Sequence, residues 1–124
     1  MIMIQKGQFI VPKCERKIGF TGDNAHKTVR FFISDSTQGE WFYRIYLRFD
    51  DGTVNYFIPD STKTDDGTEI IWEVKDEHIF KGGIVTLQIK AFNNTGEVYH
   101  TDATHLIVGD TIEFGDCFSV KQNA

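Results

Sequence analysis

The stretch that decides the fold is residues 84–92, which read Ile84-Val85-Thr86-Leu87-Gln88-Ile89-Lys90-Ala91-Phe92. Apolar residues at positions 85, 87, 89 and 91 alternate with polar residues at 86, 88 and 90. This period of two is typical of a β-strand with one buried face and one wetter face. The flanking segments Ile70–Val74 and Leu106–Val108 predict further strands, with turns at Lys81–Gly83 and Asn93–Gly96. We expect residues 70–108 to span both sheets of a β-structure.

Composition predicts one domain, residues 1–124, with a core over about 8–112 and a tail over 113–124. The chain is 40% hydrophobic and 14% aromatic, which is enough for a real core. Its net charge of −5 and its pI of about 5.2 argue against a nucleic-acid partner. No apolar run reaches the roughly 18 residues that span a bilayer, so we expect no membrane contact. The first residues lack the pattern of a secretory signal, and we expect none.

The clearest local unit is a hairpin of residues 41–58. Odd-numbered residues from Trp41 to Phe49 are apolar or aromatic and share one face. Asp51-Gly52 suits a two-residue type I′ turn, since both residue types tolerate positive φ. That turn pairs position 50 with 53 and therefore 49 with 54, 47 with 56 and 45 with 58. All six side chains in the last three pairs are apolar or aromatic, so we expect Val54, Tyr56 and Ile58 to face the core.

The rest of the chain adds short strands at Gln8–Val11, Lys17–Phe20 and Thr28–Ser34. The polar segment Asp60–Thr68 predicts either a connection between the sheets or a longer hairpin loop, and Lys75–Lys81 at most one helical turn. About seven to nine short strands with frequent turn signals are typical of an all-β, antiparallel β-sandwich.

The second face of the hairpin is the candidate interaction face. Under the expected register it contains three aromatic residues and two arginines: Phe42, Arg44, Tyr46, Arg48 and Phe57. Aromatic and Arg side chains are enriched in interaction hot spots, so this face predicts a protein or sugar contact. The alternative is that a loop or the first strands cover it.

No catalytic, cofactor or metal site can be assigned from the sequence. The histidines lack paired metal-ligand spacing, which favours ordinary surface or turn residues: His26, His78, His100 and His105. The acidic clusters near positions 50, 60 and 65–69 fit solvated turns better than a calcium loop. Cys14 and Cys117 lie near the two ends, and without a secretory signal two reduced thiols are favoured over a bridge.

The order of turn and strand motifs resembles a known family. The matching motifs are Phe20–Asp23 before Val29–Phe31, Asp51-Gly52 before Val54–Tyr56, Asp66-Gly67 before Ile71–Val74, Gly83–Ala91 and Leu106–Ile112. Together they resemble the N-terminal domain of baseplate and tail-appendage proteins from phages of Gram-positive bacteria, the BppU-like upper baseplate type. The resemblance implies an immunoglobulin-like sandwich that anchors an appendage in the virion. In that family a longer region follows the domain, whereas this sequence ends at Ala124.

The resemblance implies a structural module of a phage or prophage tail, located in the virion, and we expect it to be non-enzymatic. Its expected partners are copies of itself or other tail proteins. A small carbohydrate-binding module is the first alternative, using Trp41, Trp72 or the face of Phe42, Tyr46 and Phe57. A hydrolase with dispersed carboxylates is the second.

Overall fold

The computed structural model describes residues 1–20, 27–34, 40–75, 77–79 and 82–109. These residues form eleven strands and one 3-10 helix, Lys13–Glu15, and no α-helix. The strands in chain order are β1 (Ile2–Gln5), β2 (Gln8–Ile10), β3 (Lys17–Phe20), β4 (Lys27–Ile33), β5 (Trp41–Arg48), β6 (Val54–Phe57), β7 (Asp60–Thr64), β8 (Gly67–Val74), β9 (Gly83–Asn93), β10 (Val98–His100) and β11 (Thr104–Gly109).

The strands form two sheets packed face to face, as an all-β sandwich requires. Sheet I has the order β2-β1-β4-β8-β7, and sheet II has the order β3-β11-β9-β5-β6 with β10 also paired to β9. The antiparallel prediction is wrong in one respect, because β1 runs parallel to β4 and β11 runs parallel to β3. Both sheets are therefore mixed. Residues 70–108 do span both sheets, since β8 lies in sheet I and β9 to β11 lie in sheet II.

The core lies between the sheets and follows the alternation of the sequence. The odd positions of β9 from Val85 to Ala91 are buried, and they face the buried side chains of β4 and β8. Trp72 on β8 is the largest fully buried side chain. Ile2 and Ile4 are also fully buried, so the core begins at Ile2, ahead of the predicted start at residue 8.

Two strands beyond the expected number come from segments without alternation. β1 pairs with β2 through Lys6-Gly7, where both φ angles are positive (52° and 76°), as a type I′ turn requires. β7 contains only polar residues and forms the edge of sheet I, antiparallel to β8. The segment Asp60–Thr68 therefore begins after the crossing between the sheets and forms a hairpin of its own.

The β5–β6 hairpin is present, but its predicted register is wrong by one residue. Gly52 N–H donates to Phe49 C=O, and Phe49 N–H donates to Thr53 C=O, each at 2.9 Å. The loop thus has three residues, 50–52, with only Gly52 at positive φ, which excludes the type I′ turn. The extra residue pairs Ile45 with Phe57 instead of Ile58.

Several predictions fall on positions that the structure does not describe. The first motif of the family resemblance is covered only in part, because residues 21–26 lie outside the described ranges, as does His26. The same holds for Cys117 and the predicted tail 113–124. Between 75 and 81 the described residues form a turn in which His78 N–H donates to Lys75 C=O at 2.9 Å. Within the described ranges, no helix is long and apolar enough to cross a membrane.

Candidate interaction face

Four of the five residues predicted for the interaction face lie together on the outward side of sheet II. Phe42, Arg44, Tyr46 and Arg48 alternate along β5 with buried residues, as their positions indicated. Phe57 does not join them, because the three-residue loop turns its side chain toward the core. Its ring lies 5.0 Å from that of Trp72. This part of the predicted site is wrong.

Tyr56 occupies the place that Phe57 was expected to take. Its ring stacks on Tyr46, with centroids 5.6 Å apart and planes at 27°. From β9, Phe92 packs against Phe42 at 5.7 Å. The Arg44 guanidinium lies between these two pairs, 5.6 Å from the Tyr56 ring centroid and 5.1 Å from that of Phe92. We call these five residues the aromatic–arginine cluster.

The surface around this cluster is exposed and apolar. The exposed fraction is 40% for Phe42, 58% for Val54, 57% for Tyr56 and 73% for Ile58. The last three are the side chains that the expected register placed in the core. No described loop or strand packs over them. Contiguous exposed apolar surface of this kind typically marks an interaction site.

A second exposed apolar pair lies toward the opposite edge of sheet II, separated from the cluster by the outward residues Thr86 and Arg48. Ile84 and Ile107 are 52% and 41% exposed, and their strands are paired at these two residues. Together with Arg16 and His105 they line an open hollow of about 240 Å³. Arg16 donates from Nη1 to the His105 carbonyl at 2.6 Å, which holds its stem along the rim.

The charges on this outward side have one sign. Its outward-facing strand positions carry four cationic side chains, Lys17, Arg44, Arg48 and Lys90, and no acidic one among the described residues. We call this outward side of sheet II the basic face. β5 itself contains no acidic residue, and the acidic residues nearest to it in sequence, Glu40, Asp50 and Asp51, lie beyond its ends. This concentration of cations stands out in a chain whose net charge is −5.

Arg44 gives the cluster its chemistry. Its Nε is buried and has no hydrogen-bond partner among the described residues, and no described carboxylate pairs with its guanidinium. A guanidinium held between aromatic rings keeps its donors in a fixed fork, which matches the two oxygens of a carboxylate. The cluster can therefore bury rings against a partner and accept a carboxylate from it.

A second concave site lies around His78, at the end of the sandwich. Its cleft of about 330 Å³ is lined by Phe57, Trp72 and His78, together with charged residues of the β7–β8 region. The described lining contains no Ser, Thr or Cys that could act as a nucleophile. Carboxylates do line the cleft, at Asp60, Glu73 and Glu77.

His78 has a structural role in this cleft. Its Nδ1 accepts hydrogen bonds from the Trp72 indole Nε1–H at 2.9 Å and from the Lys75 backbone N–H at 3.1 Å. Its ring also stacks on Phe57 with centroids 4.2 Å apart. A nitrogen that accepts two donors carries no proton, so Nδ1 is not the protonated atom of this tautomer. The prediction that His78 is a surface or turn histidine is wrong as to its burial.

The other predicted residues fall in ordinary surroundings. Trp72 is 1% exposed, and Trp41 is half-buried with its ring edge-on to Tyr99 at 5.4 Å, so neither offers a flat sugar platform. Exposed His105 lies 3.3 Å from the Thr86 hydroxyl through Nδ1. Cys14 is exposed and unbridged. Over the part of the chain that is described, no three metal-ligating side chains converge.

Sequence reasoning missed Tyr56 and Phe92 as members of the cluster. Phe92 carried a usable signal, because it continues the outward series of residues 86, 88 and 90 on β9. Tyr56 carried none, since its assignment depended on the loop length. No protein-family model matches this chain, and no curated protein matches its sequence.

Proposed function

We propose that this protein is a structural interaction module of a phage or prophage tail, which assembles through the basic face and has no catalytic role. The observation that carries the proposal is the aromatic–arginine cluster within an uncovered apolar surface. Copies of the same chain or neighbouring tail proteins are the proposed partners, and the virion is the proposed location.

The strand order supports an immunoglobulin-like version of the sandwich. In immunoglobulin domains, strands B, E and D are neighbours in one sheet, and G, F, C and C′ are neighbours in the other. Here β4-β8-β7 and β11-β9-β5-β6 have the same neighbours in the same chain order. The additional β1–β2 hairpin and the short β10 are departures from that plan. The family resemblance implied the same architecture, so two separate arguments favour it.

The energetics favour a protein partner. Hot spots are enriched in Tyr, Trp and Arg, and they lie in well-packed surroundings from which a partner excludes water. Tyr56 is already held by stacking on Tyr46, and Phe42 by tilted packing against Phe92, so little side-chain entropy is left to lose on binding. The exposed aliphatic residues Val54 and Ile58 border the cluster and extend the area that a partner can bury.

Carbohydrate binding is the second candidate, and one observation favours it. Tyr56 is 57% exposed and stacked, so one side of a flat ring is available to a sugar ring. A sugar site, however, also needs polar groups that fix hydroxyls. A glycan titration followed by the Tyr56 ring NMR signals distinguishes the two functions, because both tryptophans lie away from the face.

The proposal is tested by locating the protein in particles. Antibodies raised against the chain should label the tail of purified virions in immunogold electron microscopy. A variant with Phe42→Ser and Tyr56→Ser should be absent from particles while melting within a few degrees of the wild type. The matched control is Ile10→Ser, an exposed apolar residue on β2 of sheet I. Unlabelled virions, or normal incorporation of the double variant, would contradict the proposal.

A further inference from the structure

The two outward faces of the sandwich differ in charge. The basic face has four cationic side chains at its outward strand positions and no acidic one among the described residues. On the outward side of sheet I the corresponding positions carry Asp60, Glu69 and Glu73 against a single cation, Arg30. We call this outward side of sheet I the acidic face.

Two carboxylates of the acidic face are unpaired among the described residues and can bind a partner. Arg30 Nη1 lies 3.1 Å from Glu69 Oε2, so that cation is already paired. Asp60 and Glu73 have no hydrogen-bond or ion-pair partner among the described residues, and both are exposed. Ile71 pairs with Asp60 across β8 and β7, which places apolar surface between the two free carboxylates.

We infer that the basic face of one copy of this chain binds the acidic face of a second copy, in a head-to-tail arrangement. The inference rests on the proposed use of the basic face for protein contacts, and it names the partner. Arg44 and Arg48 lack carboxylate partners within the described chain, and the acidic face supplies unpaired carboxylates. Complementary potentials of this kind fix orientation and suppress wrong pairings.

A two-fold contact between two basic faces is the unfavourable alternative. It would bring Arg44 and Arg48 of one copy toward the same residues of the other, and like charges brought together across an interface oppose binding. The head-to-tail contact instead joins cations to carboxylates. It leaves one face of each kind free at the ends, so association continues into a ring or an open chain of copies.

The test uses two complementary variants and sedimentation velocity. The basic-face variant is Arg44→Glu with Arg48→Glu, and the acidic-face variant is Asp60→Lys with Glu73→Lys. Because Arg44 is stacked on two rings, Arg48→Glu alone serves as a second basic-face variant that leaves the cluster untouched. Circular dichroism and melting first establish that each variant is folded.

The expected result has three parts. The wild type forms species larger than dimers as its concentration rises, and added salt weakens them. Each charge-reversed variant alone stays monomeric, with self-affinity reduced at least about tenfold. An equimolar mixture of the two associates again, because the intact basic face of one variant meets the intact acidic face of the other.

Two outcomes would overturn the inference. In the first, the acidic-face variant associates as well as the wild type, which would indicate a contact between two basic faces. In the second, the wild type stays monomeric at all concentrations. Neither outcome bears on virion labelling, so the proposed tail function can stand if the copies do not associate in this way. Unlabelled virions would in turn refute the tail function without excluding the association between copies.

Discussion

Adjacent aromatic residues on β6 offer the sharpest test of the structure. Tyr56 faces outward within the aromatic–arginine cluster, whereas Phe57 packs inward against Trp72 and His78. We expect Phe57→Ala to destabilise the fold strongly and to leave assembly intact at temperatures where the protein is folded. We expect Tyr56→Ala to have the opposite profile.

The magnitudes follow from burial and ring contacts. Truncating a fully buried Phe costs about 3–5 kcal/mol, and Phe57 is half-buried, so we expect about 2–3 kcal/mol. For a chain of this size that loss lowers the melting temperature by about 10 °C. Tyr56→Ala gives up one exposed ring stack and one cation–π contact, which together contribute about 1 kcal/mol.

Chemical denaturation gives the free energy of unfolding of both variants, and incorporation into particles gives their assembly. The two variants are matched controls for each other, since they differ by one position on one strand. Under the alternative register, with Tyr56 inward, the order of the two stabilities would be reversed. A Tyr56→Ala variant that is less stable than Phe57→Ala would refute the observed pairing of β5 with β6.

Three further predictions concern single sites. His78→Phe keeps a ring on Phe57 but leaves the buried Trp72 indole N–H without its acceptor, so thermal denaturation should reveal a loss of about 1–3 kcal/mol. Gly67→Ala should lower stability by at least about 3 kcal/mol, because its Cβ would overlap a backbone carbonyl oxygen of β4. The pKa of Glu97 is lowered from its ordinary value of 4.5, mainly by the hydrogen bond that the Asn93 side chain donates to its carboxylate. Asn93→Ala should therefore raise that pKa toward 4.5 in an NMR titration.

Two of these predictions have a control in the chain. Gly52→Ala also adds a Cβ at positive φ but meets no atom within 4 Å, so it should cost only about 1 kcal/mol of backbone strain. Thr95→Ala removes the hydrogen bond with the smaller effect on the pKa of Glu97, so it should raise that pKa less than Asn93→Ala does. Because the pKa of Glu97 is lower in the folded protein than in the unfolded chain, its ionised carboxylate stabilises the fold at pH values above the unfolded pKa. This stability is lost as the pH falls through the folded pKa.

The sequence predicted the face of each strand wherever apolar and polar residues alternate cleanly. On β5 and β9 every inward residue from Tyr43 to Leu47 and from Val85 to Ala91 is buried as expected. These long strands fix the sandwich, because a shift of one residue along them would bury their polar residues. Four of the five predicted face residues follow from the same alternation on β5.

The register of β6 could not be derived in this way. Val54, Tyr56 and Ile58 form a more apolar set than Asn55 and Phe57, so the pattern favoured the wrong side of the strand. Asp-Gly is compatible with two- and three-residue loops alike, and the choice between them moves every side chain of β6 to the other face. The exposed apolar set is therefore both the cause of the wrong register and the reason to infer a partner.

The first and seventh strands were missed for opposite reasons. Met1–Ile4 is apolar at every position and has no alternation to read, although Ile2 and Ile4 enter the core. β7 is polar at every position because it forms an edge whose side chains all remain exposed. Backbone pairing with β8 defines it, and composition carries little information about such pairing.

Footprinting of the basic face tests the central claim most directly. Hydroxyl-radical labelling of Tyr56 should be high in the isolated protein, where its ring is 57% exposed, and should fall several-fold in assembled tails. Labelling of Met1, which is 47% exposed and distant in sequence from the cluster, provides the internal reference. Equal labelling of Tyr56 in isolated protein and in assembled tails would contradict the assignment of this face as the site of assembly.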